Sequence, residues 1–238
     1  YPWLAADDVQ GTVRLRHRHE PPEGYERIDI AEDSWAGFLR DLPVFPRRST
    51  VYSHDLEVIE GAPAADVASL DVGRRNLQQC ADALIRLRAE YLWSRGRADA
   101  IAFHFTSGDR VAWSDWRRGE RYRISGASVE RVQTGPVDDS RANFRDYLRT
   151  VFAYAGTRSL GHDSRPADDP LEIGDFFVDP GSPGHAVLIL DIAVDEQGNR
   201  LALLGQSFMP AQEFHVLQST GPRVVDEVFF FLMIRRPP

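Results

Sequence analysis

The sequence contains no lysine, so its 28 basic residues other than histidine are all arginines. Lysine is the residue that forms Schiff bases and that contacts the phosphates in a P-loop, and both kinds of site are therefore excluded. The 36 acidic residues outnumber the arginines and give a net charge of −8 at pH 7. Because binding to nucleic acid requires positive charge that neutralises phosphates, we expect no nucleic-acid partner.

Cysteine is nearly absent as well, since Cys80 is the only one in 238 residues. A single cysteine forms neither an internal disulfide nor a thiolate zinc cluster. His17 and His19 form an H-x-H pair, but no further metal ligands accompany them, so we expect no metal and no cofactor. No apolar run approaches the roughly 20 residues that cross a bilayer, and we expect no membrane span.

The two ends of the chain are unusual. The chain begins with Tyr1 instead of methionine, and a lost N-terminal signal would favour an extracytoplasmic location, in the periplasm or envelope. Residues 229–238 (FFFLMIRRPP) follow a polar stretch abruptly and resemble translated adapter sequence from a truncated environmental reading frame. We expect this tail to be non-native, and we predict a single globular domain over 1–228.

Hydrophobic periodicity and turn residues predict helices first and strands later. The predicted helices cover 34–40, 76–94 and 140–155. The predicted strands cover 50–53, 100–106, 111–113, 175–178, 185–194 and 201–208, and the last two are joined by a turn. A simple register across that turn pairs residue numbers that sum to about 395, which places Pro210 opposite His185. The order of elements predicts an α+β fold, with helices packed on a mainly antiparallel sheet.

Cys80 and His185 are the candidates for chemistry. If Asn76 caps the predicted helix, Cys80 lies near its first turn, where unpaired backbone N–H groups and the helix dipole lower the pKa of a thiol. His185 leaves a glycine-rich turn and opens an apolar strand. A thiol and an imidazole presented in this way are typical of the nucleophile and base of a cysteine hydrolase.

Other polar residues are candidates for supporting roles. Gln206 or Gln212 would orient the imidazole, and spacing alone does not choose between them. Gln78 or Gln79 would donate a side-chain N–H to an oxyanion. Asp82, Arg86 and Glu90 follow at i, i+4 spacing, which is typical of a solvent-exposed row of charges. Alternatively, Asp82 and Arg86 contact a polar substrate.

Several long motifs resemble a bacterial family known only as a domain of unknown function. The motifs are LQQCADALIRLRAEYL, VFAYAGTRSL, GDFFVDPGSPGHAVLILD and QSFMPAQEFHVL. The resemblance covers most of the chain, to about Leu217. It implies a shared fold and, because members of that family often look exported, an envelope location.

The same residues are more remotely similar to papain-like hydrolases, including the transglutaminase-like and cell-wall amidase-peptidase branches. In those enzymes a helix-leading cysteine precedes a GD…GH β-unit. The likeness implies a papain-like arrangement, Cys80 as nucleophile, His185 as base, and a peptide or peptidoglycan substrate. The chain departs from the pattern in having glutamine at the third position, and it lacks the aromatic residue or serine that often follows the cysteine.

The alternative is a non-catalytic envelope domain in which Cys80 belongs to the core, because free cysteine is among the most buried residue types. Such a domain would bind a glycan or a protein partner. Trp113 and Trp116, flanked by Arg117 and Arg118, would provide a stacking surface for it; the more common outcome for such a pair is a place in the core or in a β-hairpin lid. The reactivity of the thiol separates the two hypotheses.

Overall fold

The computed structural model describes residues 1–4, 11–126 and 128–218. The chain divides into two compact units that are each built from separate segments. The first unit contains residues 1–2, 76–166 and 178–186, and the second contains the described parts of 3–75, 167–177 and 187–238. The prediction of a single domain over 1–228 stays a prediction, and the predicted non-native tail, 229–238, lies outside the described residues.

Helices and strands alternate irregularly, which confirms the α+β class; the papain-like arrangement stays a prediction. The α-helices are α1 (Trp35–Arg40), α2 (Cys80–Ser94), α3 (Trp113–Trp116), α4 (Arg141–Tyr154) and α5 (Thr157–His162). The strands are β1 (Val13–Arg14), β2 (Tyr25–Arg27), β3 (Pro43–Val44), β4 (Ala64–Val67), β5 (Ala102–His104), β6 (Arg110–Ala112), β7 (Glu120–Ser125), β8 (Ser128–Gln133), β9 (Phe176–Asp179), β10 (His185–Asp195), β11 (Arg200–Gln206) and β12 (His215–Leu217). None of the described helices is long and apolar enough to cross a membrane.

Side-chain caps decide where the helices begin. Ser34 and Ser140 accept hydrogen bonds from the third residue beyond them, at 3.1 and 3.2 Å, which confirms the predicted starts of α1 and α4. The prediction that Asn76 caps α2 is wrong, because Gln79 is the N-cap and Cys80 the first helical residue. The Asp82 carboxylate accepts the backbone N–H of Gln79 at 3.0 Å and so stabilises this later start.

The largest sheet has the strand order β2-β10-β11-β12-β4, with β9 paired to β10. The four pairings between neighbours in this order are antiparallel. The predicted register of the β10–β11 hairpin is wrong by one residue, since Ile192 pairs with Ala202. Beyond a bulge between Ile189 and Asp191 it is wrong by two. A bulge inserts an unpaired residue into one strand, and nothing in the local spacing marks its position.

Aromatic residues form the core of the first unit. Trp113 is 1% exposed and packs against Phe144 and Tyr147, with ring centroids 5.3 and 5.7 Å apart. Trp116 is also buried and donates its indole N–H to Asn143 at 2.8 Å. Of the alternatives predicted for these tryptophans, a pair in the core is confirmed and a stacking surface for a ligand is wrong, because both rings are buried.

The core of the second unit includes close packing on the backbone of β11. Gly205 pairs with Leu188 of β10 and with Val216 of β12. A Cβ at Gly205 would lie 2.6 Å from Leu190 and 2.7 Å from Phe214, closer than real Cβ contacts. Glycine is therefore required there so that two large apolar side chains reach the sheet.

Candidate functional site

The thiol of Cys80 lies at the first position of α2, against the start of β10. It is buried, and its Sγ donates a weak hydrogen bond to the carbonyl oxygen of Gly184 at 3.9 Å. Burial raises the pKa of the Cys80 thiol above its ordinary value, while hydrogen bonds from the backbone of Ala81 and Ala186 act in the opposite direction. The thiol is therefore protonated at neutral pH.

His185 lies between the two β10-side residues that contact this sulfur, Gly184 and Ala186. A carbonyl oxygen and the next Cα in a trans peptide are about 2.8 Å apart, so the Cα of His185 lies within about 7 Å of Sγ. His185 is only half-buried. The Cys80 thiol thus contacts the backbone on both sides of His185, a residue far from it in sequence.

The two glutamines before Cys80 have different partners. Gln78 is 1% exposed, and its Oε1 accepts a hydrogen bond from Arg86 Nη1 at 2.8 Å. Its amide is thereby oriented with the oxygen toward the guanidinium and the NH₂ group on the other side. Gln79 instead donates its side-chain N–H to Asn76 at 3.2 Å. Of the two predicted oxyanion donors, Gln78 is the one that the fold holds rigidly.

The charged row on α2 is buried rather than solvent-exposed, so that prediction is wrong. Arg86 and Glu90 are both 0% exposed, and Arg86 Nε lies 3.7 Å from Glu90 Oε1. Arg141 Nη2 donates to both Glu90 oxygens at 2.8 Å. Buried charges are tolerated only when they are paired, and here α4 supplies the partner. Arg86 has no exposed surface with which to contact a substrate, which corrects its predicted role.

Asp82 is buried in the first turn of α2, and burial raises the pKa of its carboxyl to about 8. The hydrogen bond from the backbone of Gln79 opposes this shift and is the weaker of the two effects. The carboxyl is therefore mostly protonated at neutral pH. Because a charge on Asp82 would raise the pKa of the Cys80 thiol further, the protonated form favours the thiolate. Contact between Asp82 and a substrate stays a prediction.

Gln206 and Gln212 have their partners in the second unit. Gln206 Nε2 lies 3.4 Å from Nε2 of His215. The backbone of Gln212 pairs with that of Ser53, and its carbonyl oxygen accepts the Ser207 hydroxyl at 2.7 Å. Cys80 and His185 belong to the first unit. An orienting role for either glutamine toward His185 therefore stays a prediction.

A family model described as Domain of unknown function (4846) matches residues 15–229. The chain belongs to this family. The match includes Cys80, His185 and the other candidate residues, and it confirms the resemblance to a domain of unknown function. The comparisons with curated proteins and with solved structures returned no match. The similarity to papain-like hydrolases is not shown by these comparisons.

For this member of the Domain of unknown function (4846) family, the structure adds one pair that the sequence analysis missed. The Asp163 carboxylate accepts the backbone N–H of His104 at 2.9 Å and also contacts its Nδ1. The ring of His162 lies edge-on to that of His104, with centroids 5.1 Å apart. His104 and Asp163 are 59 residues apart, so no local signal indicated the pair. In the described part of the chain, no group of three or more histidine, cysteine, aspartate or glutamate side chains is arranged to hold a metal ion.

Proposed function

We propose that this chain is a cysteine hydrolase that cleaves an amide bond, with Cys80 as nucleophile and His185 as base. The observation that carries the proposal is the contact of the Cys80 thiol with Gly184 and Ala186, the two neighbours of His185. The position of Cys80 at the start of a 15-residue helix adds support, because the backbone N–H groups there stabilise negative charge.

The reaction needs a base because the resting thiol is protonated. His185 removes the S–H proton as the sulfur attacks the amide carbon, and a C–S bond forms. The C–N bond then breaks, and the imidazolium gives its proton to the departing amine. Water, deprotonated by His185, hydrolyses the thioester, which releases the acid and restores the thiol. The backbone N–H of Cys80 and the side-chain N–H of Gln78 stabilise the oxyanion.

The resemblance to cell-wall amidases and peptidases supports a peptide or peptidoglycan substrate, and the exported look of the family supports an envelope location. Neither is needed for the test of the chemistry. The net charge of −8 argues against a polyanionic substrate that is held by general electrostatic attraction.

The test uses p-nitrophenyl acetate, an activated ester that acylates reactive thiols. Because the chain has one cysteine, an acetyl group that is detected by intact mass and is absent from Cys80→Ala is assigned to the Cys80 thiol. We expect a burst of p-nitrophenol with one acetyl adduct, both lost in Cys80→Ala. His185→Gln should lower the acylation rate at pH 7 about 10²–10⁴-fold, the usual contribution of a general base.

His104→Gln is the matched control, since His104 is a partly exposed histidine bound to Asp163. It should acylate at the rate of the unmodified chain. An equal loss in both histidine variants, or no burst at all in the unmodified chain, would refute the hydrolase.

A non-catalytic domain is the second candidate, and the 5% exposure of Cys80 favours it. In that case Cys80 resists iodoacetamide in the native state and reacts only after unfolding. Glycan binding through Trp113 and Trp116 has lost its support, because both rings are buried. Binding of a glycan or of a protein partner by other residues stays a prediction.

A further inference from the structure

Thr157, the first residue of α5, contacts the turn that precedes His185. The threonine is 6% exposed. Its Oγ1 accepts the backbone N–H of Gly181 at 3.1 Å and donates to the carbonyl oxygen of the same residue at 3.3 Å. One hydroxyl thus satisfies both backbone polar groups of a residue in the turn 181–184, which has the sequence Gly-Ser-Pro-Gly.

Gly184 ends this turn and packs against the same hydroxyl. A Cβ at Gly184 would lie 2.6 Å from the Asp179 carbonyl oxygen and 2.7 Å from the Gly181 nitrogen, and closer still to Thr157 Oγ1. Real Cβ atoms do not approach so closely, so the turn leaves no room there. The Gly184 carbonyl oxygen is also the acceptor 3.9 Å from Cys80 Sγ. Gly184 therefore connects the Thr157 hydroxyl to the Cys80 thiol.

We propose that Thr157 is a positioning residue that holds the turn 181–184, and through it His185, in place beside Cys80. This inference rests on the proposed function, because it assigns Thr157 a role in the same site. Both of these Thr157 hydrogen bonds go to the backbone of Gly181, so the hydroxyl acts through the backbone of the turn. Small displacements matter in such a site, since a shift of about 1 Å costs up to about 10²-fold in rate.

The test compares Thr157→Val, which keeps the shape and removes the hydroxyl, with Thr157→Ser, which keeps the hydroxyl. In Thr157→Val, acylation by p-nitrophenyl acetate should fall about 10- to 100-fold. Alkylation of Cys80 by iodoacetamide should instead become faster, because the loosened turn covers the sulfur less well. Thr157→Ser should restore both rates to near those of the unmodified chain.

The pH dependence of acylation separates positioning from a general loss of stability. In the unmodified chain the rate should follow the ionisation of the base, and in His185→Gln it should follow that of the thiol. The pH–rate profile of Thr157→Val should shift toward that of His185→Gln. A merely structural role would lower the denaturation midpoint and leave the profile of the remaining folded protein unchanged, which would overturn the inference.

The remaining outcomes are distinguishable. If His185→Gln acylates normally, the proposed function fails whatever Thr157 does. If His185→Gln is slow but Thr157→Val is unchanged, or if Thr157→Ser is as slow as Thr157→Val, the inference is overturned and the function stands. If Thr157→Val does not fold, the test is the rate of hydrogen exchange of the Gly181 amide, measured in the unmodified chain and in Thr157→Ser. We expect slow exchange in both, and exchange at the rate of an open loop would overturn the inference.

Discussion

Both units of this chain contain buried pairs of an arginine and a carboxylate, but the two clusters differ in the other groups that their arginines bind. In the second unit, Asp191 accepts hydrogen bonds from Arg27 at 2.8 Å and from Arg40 at 2.7 Å. Arg40 also donates to the carbonyl oxygen of Ile28, so this cluster joins β10 to the segment around β2. The hydrogen bonds of this cluster therefore connect secondary-structure elements of the second unit.

In the first unit, the corresponding cluster extends to the candidate site. Arg141 binds Glu90, Glu90 lies beside Arg86, and Arg86 holds the amide of Gln78, two residues before Cys80. Burial of a charged pair therefore does not by itself indicate a functional site. What distinguishes the first unit is that its cluster ends on the side chain of Gln78, two residues before a potential nucleophile.

The largest expected effect is the loss of Asp191. Asp191→Ala leaves the buried Arg40 guanidinium without its carboxylate, and breaking such a pair costs about 3–5 kcal/mol in the free energy of unfolding. Urea denaturation measures the loss. Acylation of Cys80 in the remaining folded protein should be unchanged. A fall in acylation as large as that of His185→Gln would show that the second cluster also serves the site.

Gln78→Ala and Arg86→Met test the connection in the first unit. Removing one oxyanion donor costs about 10²–10³-fold in rate, so we expect acylation by Gln78→Ala to fall by that amount. Arg86→Met should approach the same rate, because the Gln78 amide loses its hydrogen bond while Glu90 keeps Arg141. The double variant should lose nothing more.

Gln133→Ala is the control for these variants. It also removes a glutamine side chain, one that lies on β8 and donates a hydrogen bond to the Arg118 carbonyl oxygen. It should acylate normally. Full activity in Arg86→Met would contradict the connection and reduce the first cluster to the structural kind seen in the second unit.

Asp82→Asn should have a pH-dependent effect. The folded-state pKa of Asp82, about 8, lies above that of the unfolded chain, near 4, so folding favours the protonated form. Stability from this group is complete below about pH 4 and is lost as the pH rises to about 8. Asn carries no such proton, so the free energy of unfolding of Asp82→Asn relative to that of the unmodified chain should rise by about 2 kcal/mol from about pH 6 to pH 8.

Asp195→Asn in the second unit is the matched control for this pH series. Hydrogen bonds from Asn199 lower the pKa of the exposed Asp195 carboxyl, so its contribution is present above the unfolded pKa and lost as the pH falls through the folded one. The stability difference of this variant should be constant from about pH 6 to pH 8. A constant difference for Asp82→Asn as well would contradict the shifted pKa.

The smallest effect is expected from Glu130→Ala. Glu130 pairs with Arg123 at 2.7 Å, but both side chains are more than half exposed. Exposed pairs contribute less than about 1 kcal/mol, because water and salt screen them. A loss as large as that of Asp191→Ala would mean that burial is not what separates the strong pairs from the weak ones.

Local chemistry accounts for the predictions that held. Ser34 and Ser140 cap helices because a hydroxyl satisfies backbone N–H groups within its own segment. The apolar strand after His185 follows from its run of aliphatic residues. The hairpin of β7 and β8 was missed, since its strands are half-exposed and carry charges such as Arg123 and Glu130. Without a regular apolar alternation, such strands have no distinct pattern.

The position of Cys80 near a helix terminus and of His185 at the start of a strand can be predicted from the sequence, because both depend on residues a few positions away. The contact of the thiol with the Gly184 carbonyl, 104 positions along the chain, and the burial of Arg86 and Glu90 depend on tertiary packing. Burial of a charge depends on a partner from another segment, here Arg141 of α4. Such long-range pairings arise from packing, which no local spacing encodes.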